Sequence, residues 1–251
     1  MTTSYILRIL RGNPGKQYWE EFELAYKAGA NVISSLLEIQ KSPITREGVR
    51  VTPVVWESGC LEEVCGSCSM LINGKPRQAC TALIDNLIAE SKSNVITLAP
   101  FSKFPLVRDL VVDRSSMFEN LKKVSAWIEG EESYDHGFGP RIMPETQEVM
   151  YQLSTCMTCG CCVESCPQVN ERSPFWGPAV IGQVRLFNIH PKAELKEERL
   201  QQMMQEGGVS GCGNAHNCER VCPKKIPLVD AIASIGRGVT LQAIKDLFRH
   251  E

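Results

Sequence analysis

No stretch of the 251 residues approaches about 18 consecutive apolar positions, so no membrane-spanning helix is expected. Net charge is also scarce. The 27 Lys and Arg nearly cancel the 29 Asp and Glu, leaving −2, and such a chain offers no positive field to nucleic acid. The opening Met1-Thr-Thr-Ser-Tyr-Ile-Leu-Arg8 has neither the basic nor the apolar region of a signal peptide. There is no G-x-x-x-x-G-K-[S/T], no G-x-G-x-x-G after a strand and no G-x-S-x-G. Nucleotide, flavin and serine-nucleophile sites are therefore unsignalled, and Gly137-Phe138-Gly139-Pro140 reads as a loop, not a phosphate cradle. With 43% hydrophobic and 22% charged residues, the composition is nonetheless that of a globular protein.

What the chain does have is 12 cysteines. Outside a secretory context thiols stay reduced, and clustered cysteines more often bind metal than pair as disulfides. They fall into two groups, one ending at Cys80 and one starting at Cys156, with none between. That gap implies two metal-binding units, and the break is expected near Ala99-Pro100-Phe101-Ser102-Lys103-Phe104-Pro105, giving domains 1–103 and 104–251. The first half alternates short apolar runs with turn signals. Strands are expected at Tyr5–Leu10, Trp19–Ala25 and Asn94–Leu98, and a hairpin at Met70–Ile72 and Gln78–Ile84 around Asn73-Gly74. One amphipathic helix, Asn31–Gln40, completes a mixed sheet with a single helix. The second half is helical in period, with apolar positions at Met117, Leu121, Val124 and Ile128 and at Leu241, Ile244 and Phe248. Glu145–Leu153 and Glu194–Met204 are further helix candidates, the latter stopped by Gly207-Gly208.

Cys60-x4-Cys65-x2-Cys68, followed by Cys80, has the plant-type spacing for a [2Fe–2S] cluster. Three thiolates from one loop must converge on two irons, and Gly59 and Gly66 allow the close backbone approach this requires. The alternative is structural zinc, which favours two short C-x2-C knuckles where this segment has one. Cys156-x2-Cys159-x2-Cys162-x3-Cys166-Pro167 is a bacterial-ferredoxin run, and Cys212-x2-Ala215-x2-Cys218-x3-Cys222-Pro223 repeats it with alanine in the second place. In two-cluster proteins the fourth cysteine of each run ligates the other cluster. That rule gives Cys156, Cys159, Cys162 and Cys222 to a [4Fe–4S] cluster. It leaves only Cys166, Cys212 and Cys218 for the other site, where a [3Fe–4S] cluster is expected because a methyl at Ala215 cannot hold iron. Cys161 is off-register with both runs and reads as a small buried bystander.

His216, inside the second run, should lie near the three-iron site, whereas His190 before Pro191 reads as a loop residue. Lys224 and Lys225 beside Cys222 read as solvated charge, and Trp127, Trp176 and Phe175 as packing. Three clusters and no substrate site describe an electron relay, with donor and acceptor on other chains.

The motif set, Cys60-Leu-Glu-Glu-Val-Cys65-Gly-Ser-Cys68, Asn73-Gly-Lys-Pro76, Cys80 and the two C-P-terminated runs, resembles the iron–sulfur subunit of succinate dehydrogenase and fumarate reductase. Phe104-Pro-Leu-Val-Arg-Asp-Leu-Val-Val-Asp113 and Gly182-Gln-Val-Arg-Leu-Phe187 extend the resemblance over almost the whole chain. Cys156-Met-Thr-Cys159-Gly160 and Cys166-Pro-Gln-Val-Asn170 are most similar to the menaquinone-linked form of Gram-positive, Bacillus-like bacteria. The resemblance implies an α+β protein, with an N-terminal β-grasp [2Fe–2S] ferredoxin domain and an all-α, bacterial-ferredoxin-like domain carrying the other two clusters. It further implies a flavoprotein partner with FAD, a membrane-anchor cytochrome b, a quinone at or near that anchor, and a peripheral place on the cytoplasmic face of the cell membrane. Succinate dehydrogenase (quinone) is the implied enzyme, with fumarate reduction in the reverse direction as the alternative. Ubiquinone-type relatives carry tryptophan and histidine where this chain has Glu171 and Gly213, so no quinone ligand is assigned.

Overall fold

The computed structural model describes residues 3–128 and 141–249. The Gly137–Pro140 segment expected as a loop lies outside them. The chain divides into two compact units, Met1–Arg114 with Met157–Glu164, and Ser115–Cys156 with Ser165–Glu251. The first unit thus runs past the expected break at 103/104, because residues 104–114 carry a short ribbon that stays with it.

The first unit is built on a five-stranded sheet. β1 (Ser4–Asn13) and β2 (Lys16–Ala25) form an antiparallel hairpin in the register Ser4↔Ala25 to Asn13↔Lys16. The Asn13 Oδ1 closes its turn by accepting from Gly15 N at 3.0 Å and Lys16 N at 3.2 Å. α1 (Val32–Lys41) starts where expected, at an Asn31 cap that exchanges hydrogen bonds with Ser34. β3 (Ser69–Ile72) and β4 (Lys75–Gln78) pair around Asn73-Gly74, both left-handed at φ 49° and 72°. The return strand is therefore Lys75–Gln78 and not Gln78–Ile84, since a two-residue turn leaves no slack before pairing resumes. The residues beyond form a second helix, α2 (Ile84–Ser91), where a single helix was expected. β5 (Val95–Ala99) closes the sheet in the order β2-β1-β5-β3-β4, parallel to β1 and antiparallel to β3. β6 (Leu106–Arg108) and β7 (Val111–Val112) make the separate ribbon.

Along β1, Tyr5, Leu7 and Ile9 enter a core with Leu36, Ile39, Ile72, Ile84, Leu87, Ile96 and Leu98. Arg11 continues that face into the interior and is 1% exposed. It is compensated there. Its guanidinium donates to Glu20, to Thr52 Oγ1 and to both Asp109 oxygens, and Asp109 also accepts from Gly12 N and Val55 N at 2.8 and 2.9 Å.

Among the described residues the second unit contains helices and no strand. These are α3 (Ser115–Lys123), α4 (Pro144–Ser154), α6 (Pro178–Ile189), α7 (Lys196–Met203), α8 (Asn217–Arg220) and α9 (Leu228–Arg249); the four-residue α5 (Cys161–Glu164) belongs to the first unit. Phe175, Val180, Ile181, Val184, Met203 and Ile235 form its core. α6 shows no amphipathic period in sequence because it is buried nearly all round, from Pro178 through Gly182 and at Val184. α3 ends at Lys123, short of Ile128, and Ser125 just beyond it is left-handed at φ 48°. The Leu241, Ile244 and Phe248 stripe is helical, yet all three side chains are exposed. No described helix is long and apolar enough to cross a membrane.

Candidate functional site

The loop before β3 wraps backbone around sulfur. Leu61 and Glu63 adopt left-handed φ of 62° and 55°, conformations that bulky side chains rarely take. The consequence is that Glu62, Val64 and Cys65 all aim their N–H groups at Cys60 Sγ, at 3.4, 3.2 and 3.2 Å. In return, Cys60 N donates to Cys65 Sγ at 3.4 Å. Hydrogen bonds from the Cys60 N–H and from the hydroxyl and N–H of Ser67 pull the Cys65 thiol down to about 6, so a thiolate is favoured there at neutral pH. Cys68 and Cys80 are buried, and burial pushes the Cys68 thiol up to about 11. Asn31, the α1 cap, also donates from Nδ2 to the Cys80 carbonyl at 2.9 Å, tying the fourth cysteine to the sheet's helix. A loop whose amides converge on sulfurs fits iron-bound thiolates, whose excess negative charge those dipoles stabilise.

The segment Met157–Glu164 packs within the same unit. Gly66, left-handed at φ 74°, lies flat against it, and Arg114 Nη1 donates to both Gly66 O at 2.9 Å and Cys159 O at 3.3 Å. Glu164, 7% exposed, accepts from Ser102 N, Ser102 Oγ and Lys103 N at 2.9, 2.7 and 3.1 Å, anchoring the far end. Cys159 and Cys161 are buried and Cys162 is partly so. The Cys161 S–H donates to Cys159, which holds the Cys159 thiol down to about 7 and pushes that of Cys161 up. Cys161 is thus buried as expected, with a role as hydrogen-bond donor that spacing alone did not reveal.

In the second unit one small cavity of about 20 Å³ is lined by Cys166, Cys212 and Cys218 together with Ala215, His216 and Gly213. The three expected three-iron cysteines therefore surround one space, and the Ala215 methyl is in its wall. Burial pushes the Cys218 thiol up to about 11. His216 lines this cavity from a left-handed backbone at φ 60°, with Nε2 2.9 Å from Asn214 Oδ1. Gly213 is packed under Gln168, whose Nε2 would lie 2.3 Å from any Cβ placed there. Cys156 and Cys222 also belong to this unit, and Ile226 N lies 3.5 Å from Cys222 Sγ as donor.

No described pair of cysteines forms a disulfide, and no three described His, Cys, Asp or Glu side chains converge as a single ion would require. His190, capping α6, accepts from Lys192 N through Nδ1, as a loop residue would. Trp127 is half-exposed while Phe175 is core.

Comparison with known proteins agrees with this chemistry. A family model described as a 2Fe-2S iron-sulfur cluster binding domain matches residues 6–119, and one described as a 4Fe-4S dicluster domain matches residues 152–226. The chain is 53% identical over 232 residues to the succinate dehydrogenase iron-sulfur subunit of Bacillus subtilis, covering 92% of this chain and 90% of that protein. It is 35% identical over 181 residues to the fumarate reductase iron-sulfur subunit of Wolinella succinogenes, covering 71% and 74%. A chain of the Mycobacterium smegmatis Sdh1 complex in the apo form shares the fold, with TM-score 0.80 at 24% identity over 95% of this chain and 96% of that one.

Proposed function

The chain belongs to the iron–sulfur subunits of succinate dehydrogenase and fumarate reductase, and from that premise we propose how its residues carry electrons in a succinate:quinone oxidoreductase. The greater identity to the succinate dehydrogenase subunit supports succinate oxidation as its working direction. When bound, the clusters supply one-electron centres whose potentials depend on cluster type, hydrogen bonds to sulfur and exposure. Everything else is the work of the polypeptide.

In this reading Cys60, Cys65, Cys68 and Cys80 hold [2Fe–2S] on a β-grasp ferredoxin domain. Cys156, Cys159, Cys162 and Cys222 hold [4Fe–4S], and Cys166, Cys212 and Cys218 hold [3Fe–4S] on the helical unit. The backbone donors on Cys60 and Cys65 stabilise thiolate charge at the first site. At the last, the Ala215 methyl takes the place of a fourth ligand and helps keep water from the open corner. No residue of this chain is assigned to succinate chemistry. An FAD-bearing flavoprotein supplies electrons, and a cytochrome b anchor passes them to a quinone, menaquinone by the Bacillus-like pattern. The anchor holds the subunit to the cytoplasmic face of the membrane.

The observation that carries this reading is the cavity that gathers three cysteines and one alanine at ferredoxin spacing. Its test is the purified complex. Brown protein with about nine irons in this subunit, resonances from all three cluster types and succinate-driven quinone reduction are expected. Fumarate reduction outpacing succinate oxidation would reverse the direction, and colourless protein holding zinc would replace the relay by a structural module.

A further inference from the structure

Arg114 stands two positions beyond β7, still within the first unit. The ribbon that presents it is bolted to the sheet. Asp113 N donates to Pro105 O at 2.8 Å across the ribbon, and Asp109, in the bend between its strands, accepts from Gly12 N, Val55 N and the buried Arg11. From that base the Arg114 side chain, 18% exposed, reaches both cysteine loops of this unit. Its Nη1 carries two N–H groups, and each has a carbonyl to serve: Gly66 O at 2.9 Å and Cys159 O at 3.3 Å. Nη2 lies 3.6 Å from Oε2 of Glu57, a half-exposed side chain. Gly66 O also accepts the Ser69 hydroxyl at 2.6 Å, so both of its lone pairs are taken. One nitrogen therefore joins a loop of the first ligand set to a cysteine of the second.

We propose that Arg114 is a positioning residue for electron transfer between the first two clusters, seating Gly66 on Cys159 and setting a positive charge beside both ligand sets. The proposal rests on the ligand assignment given above. Gly66 directly follows Cys65, and a Cβ on it would lie 2.9 Å from the Cα of Cys159, so the two backbones already touch. Dispersion across so bare a contact is weak. Hydrogen bonds from a charged donor are stronger than neutral ones, and two of them from one planar group fix the spacing of the carbonyls they serve. Glu164 anchors the far end of the Met157–Glu164 segment, and Arg114 anchors the end at Cys159. The guanidinium also keeps its proton at any working pH. Reduction adds negative charge to a cluster, and a nearby fixed cation favours that state and raises the potential. Glu57 offsets this charge only in part, because half of its side chain is in solvent, where ion pairs are screened. The transfer served moves one electron, with no proton transferred and no bond made or broken.

The test is potentiometric titration followed by electron paramagnetic resonance on the assembled complex. With the first two clusters both reduced and paramagnetic, their spins interact through space with a strength that falls as the cube of their separation. Relaxation of the [2Fe–2S] resonance therefore reads how closely the second cluster is held. Arg114→Met keeps the apolar stem and loses both fork and charge. It should slow that relaxation and lower the [2Fe–2S] potential by about tenfold in the one-electron equilibrium, about 59 mV. The [3Fe–4S] potential should stay unchanged, which a general loss of folding would not allow. Arg114→Lys keeps the charge without the planar fork, so the potential should return toward the wild-type value while relaxation stays slowed. Either quantity unmoved in an Arg114→Met complex showing all three resonances overturns the proposal. Should that variant fail to assemble, wild-type relaxation in Arg114→Lys overturns it. A wild-type complex lacking either of the first two resonances would instead overturn the ligand assignment.

Discussion

Gly66 and Cys159 are in backbone contact: a Cβ built on Gly66 would sit 2.8 Å from the Cβ and 2.9 Å from the Cα of Cys159. The first of these residues lies inside the Cys65–Cys68 loop and the second is in the bacterial-ferredoxin run, 93 positions later. Arg114 fastens the contact by donating to both carbonyls. Absence of a side chain at 66 is thus what lets the two cysteine loops approach, and electron transfer falls off steeply with separation.

Gly66→Ala should therefore cost more than its backbone conformation alone. Gly74 has nearly the same φ, 72° against 74°, but a Cβ added there would meet nothing within 4 Å. Gly74→Ala should cost about 1 kcal/mol for the left-handed backbone, and Gly66→Ala about 2 kcal/mol more for overpacking. Thermal melting of the loaded complex, followed by cluster absorbance, measures the difference. Equal losses in the two variants would mean the loops are not in contact.

The contrast between these glycines also marks where sequence reading stops. Asn73-Gly74 announces its turn locally, as Asn31 announces α1, and cysteine spacing announces each ligand set, because all depend on neighbours in sequence. The contact of Gly66 with Cys159 has no local signature. Neither have the left-handed Leu61 and Glu63, whose residue types argue against the conformation they adopt. α2 was hidden because its first residues, Ile84 and Leu87, read equally well as the end of a strand, and α6 because burial on all sides erases the period. The Leu241–Phe248 stripe has the right period but faces outward, since spacing reveals a face and not what covers it.

The Arg11–Asp109 pair should be a principal support of the first unit. Its partners are 1% and 2% exposed, and Asp109 also accepts two backbone N–H groups. Asp109→Asn should cost about 3 kcal/mol, since a buried guanidinium loses its most deeply buried counter-charge. Glu20→Gln, on the 14% exposed side of the same arginine, should cost less, about 1 kcal/mol. Urea titration of both variants checks the order, and a reversed order would place the main support at Glu20.

Glu164→Gln tests the anchor of the second cysteine loop. The carboxylate accepts from Ser102 N, Ser102 Oγ and Lys103 N, and an amide must turn its N–H group against one of those donors. A loss of about 2 kcal/mol is expected, because hydrogen bonds to charged groups contribute about 1.5–3 kcal/mol each. Hydrogen exchange gives the local reading. The Ser102 amide should exchange faster in the variant while the Asn73 amide, bonded to Thr97 O at 2.9 Å within the sheet, keeps its protection.

Ala215→Cys tests the three-iron assignment most directly. Cys166, Cys212 and Cys218 line one cavity with Ala215, and residue 215 occupies the place that a fourth thiolate holds in the matching run. The substitution should supply that thiolate and convert the site from [3Fe–4S] to [4Fe–4S]. Added negative charge should lower the potential, and each ~59 mV is tenfold in a one-electron equilibrium. Electrons would then be held back before the quinone, so quinone reduction should slow while succinate oxidation through a dye accepting upstream is better preserved. In the oxidised wild-type complex a spin-½ resonance from the three-iron centre is expected, and the variant should lose it. Should that resonance persist in a folded Ala215→Cys complex, residue 215 does not reach the cluster and the three-cysteine assignment fails.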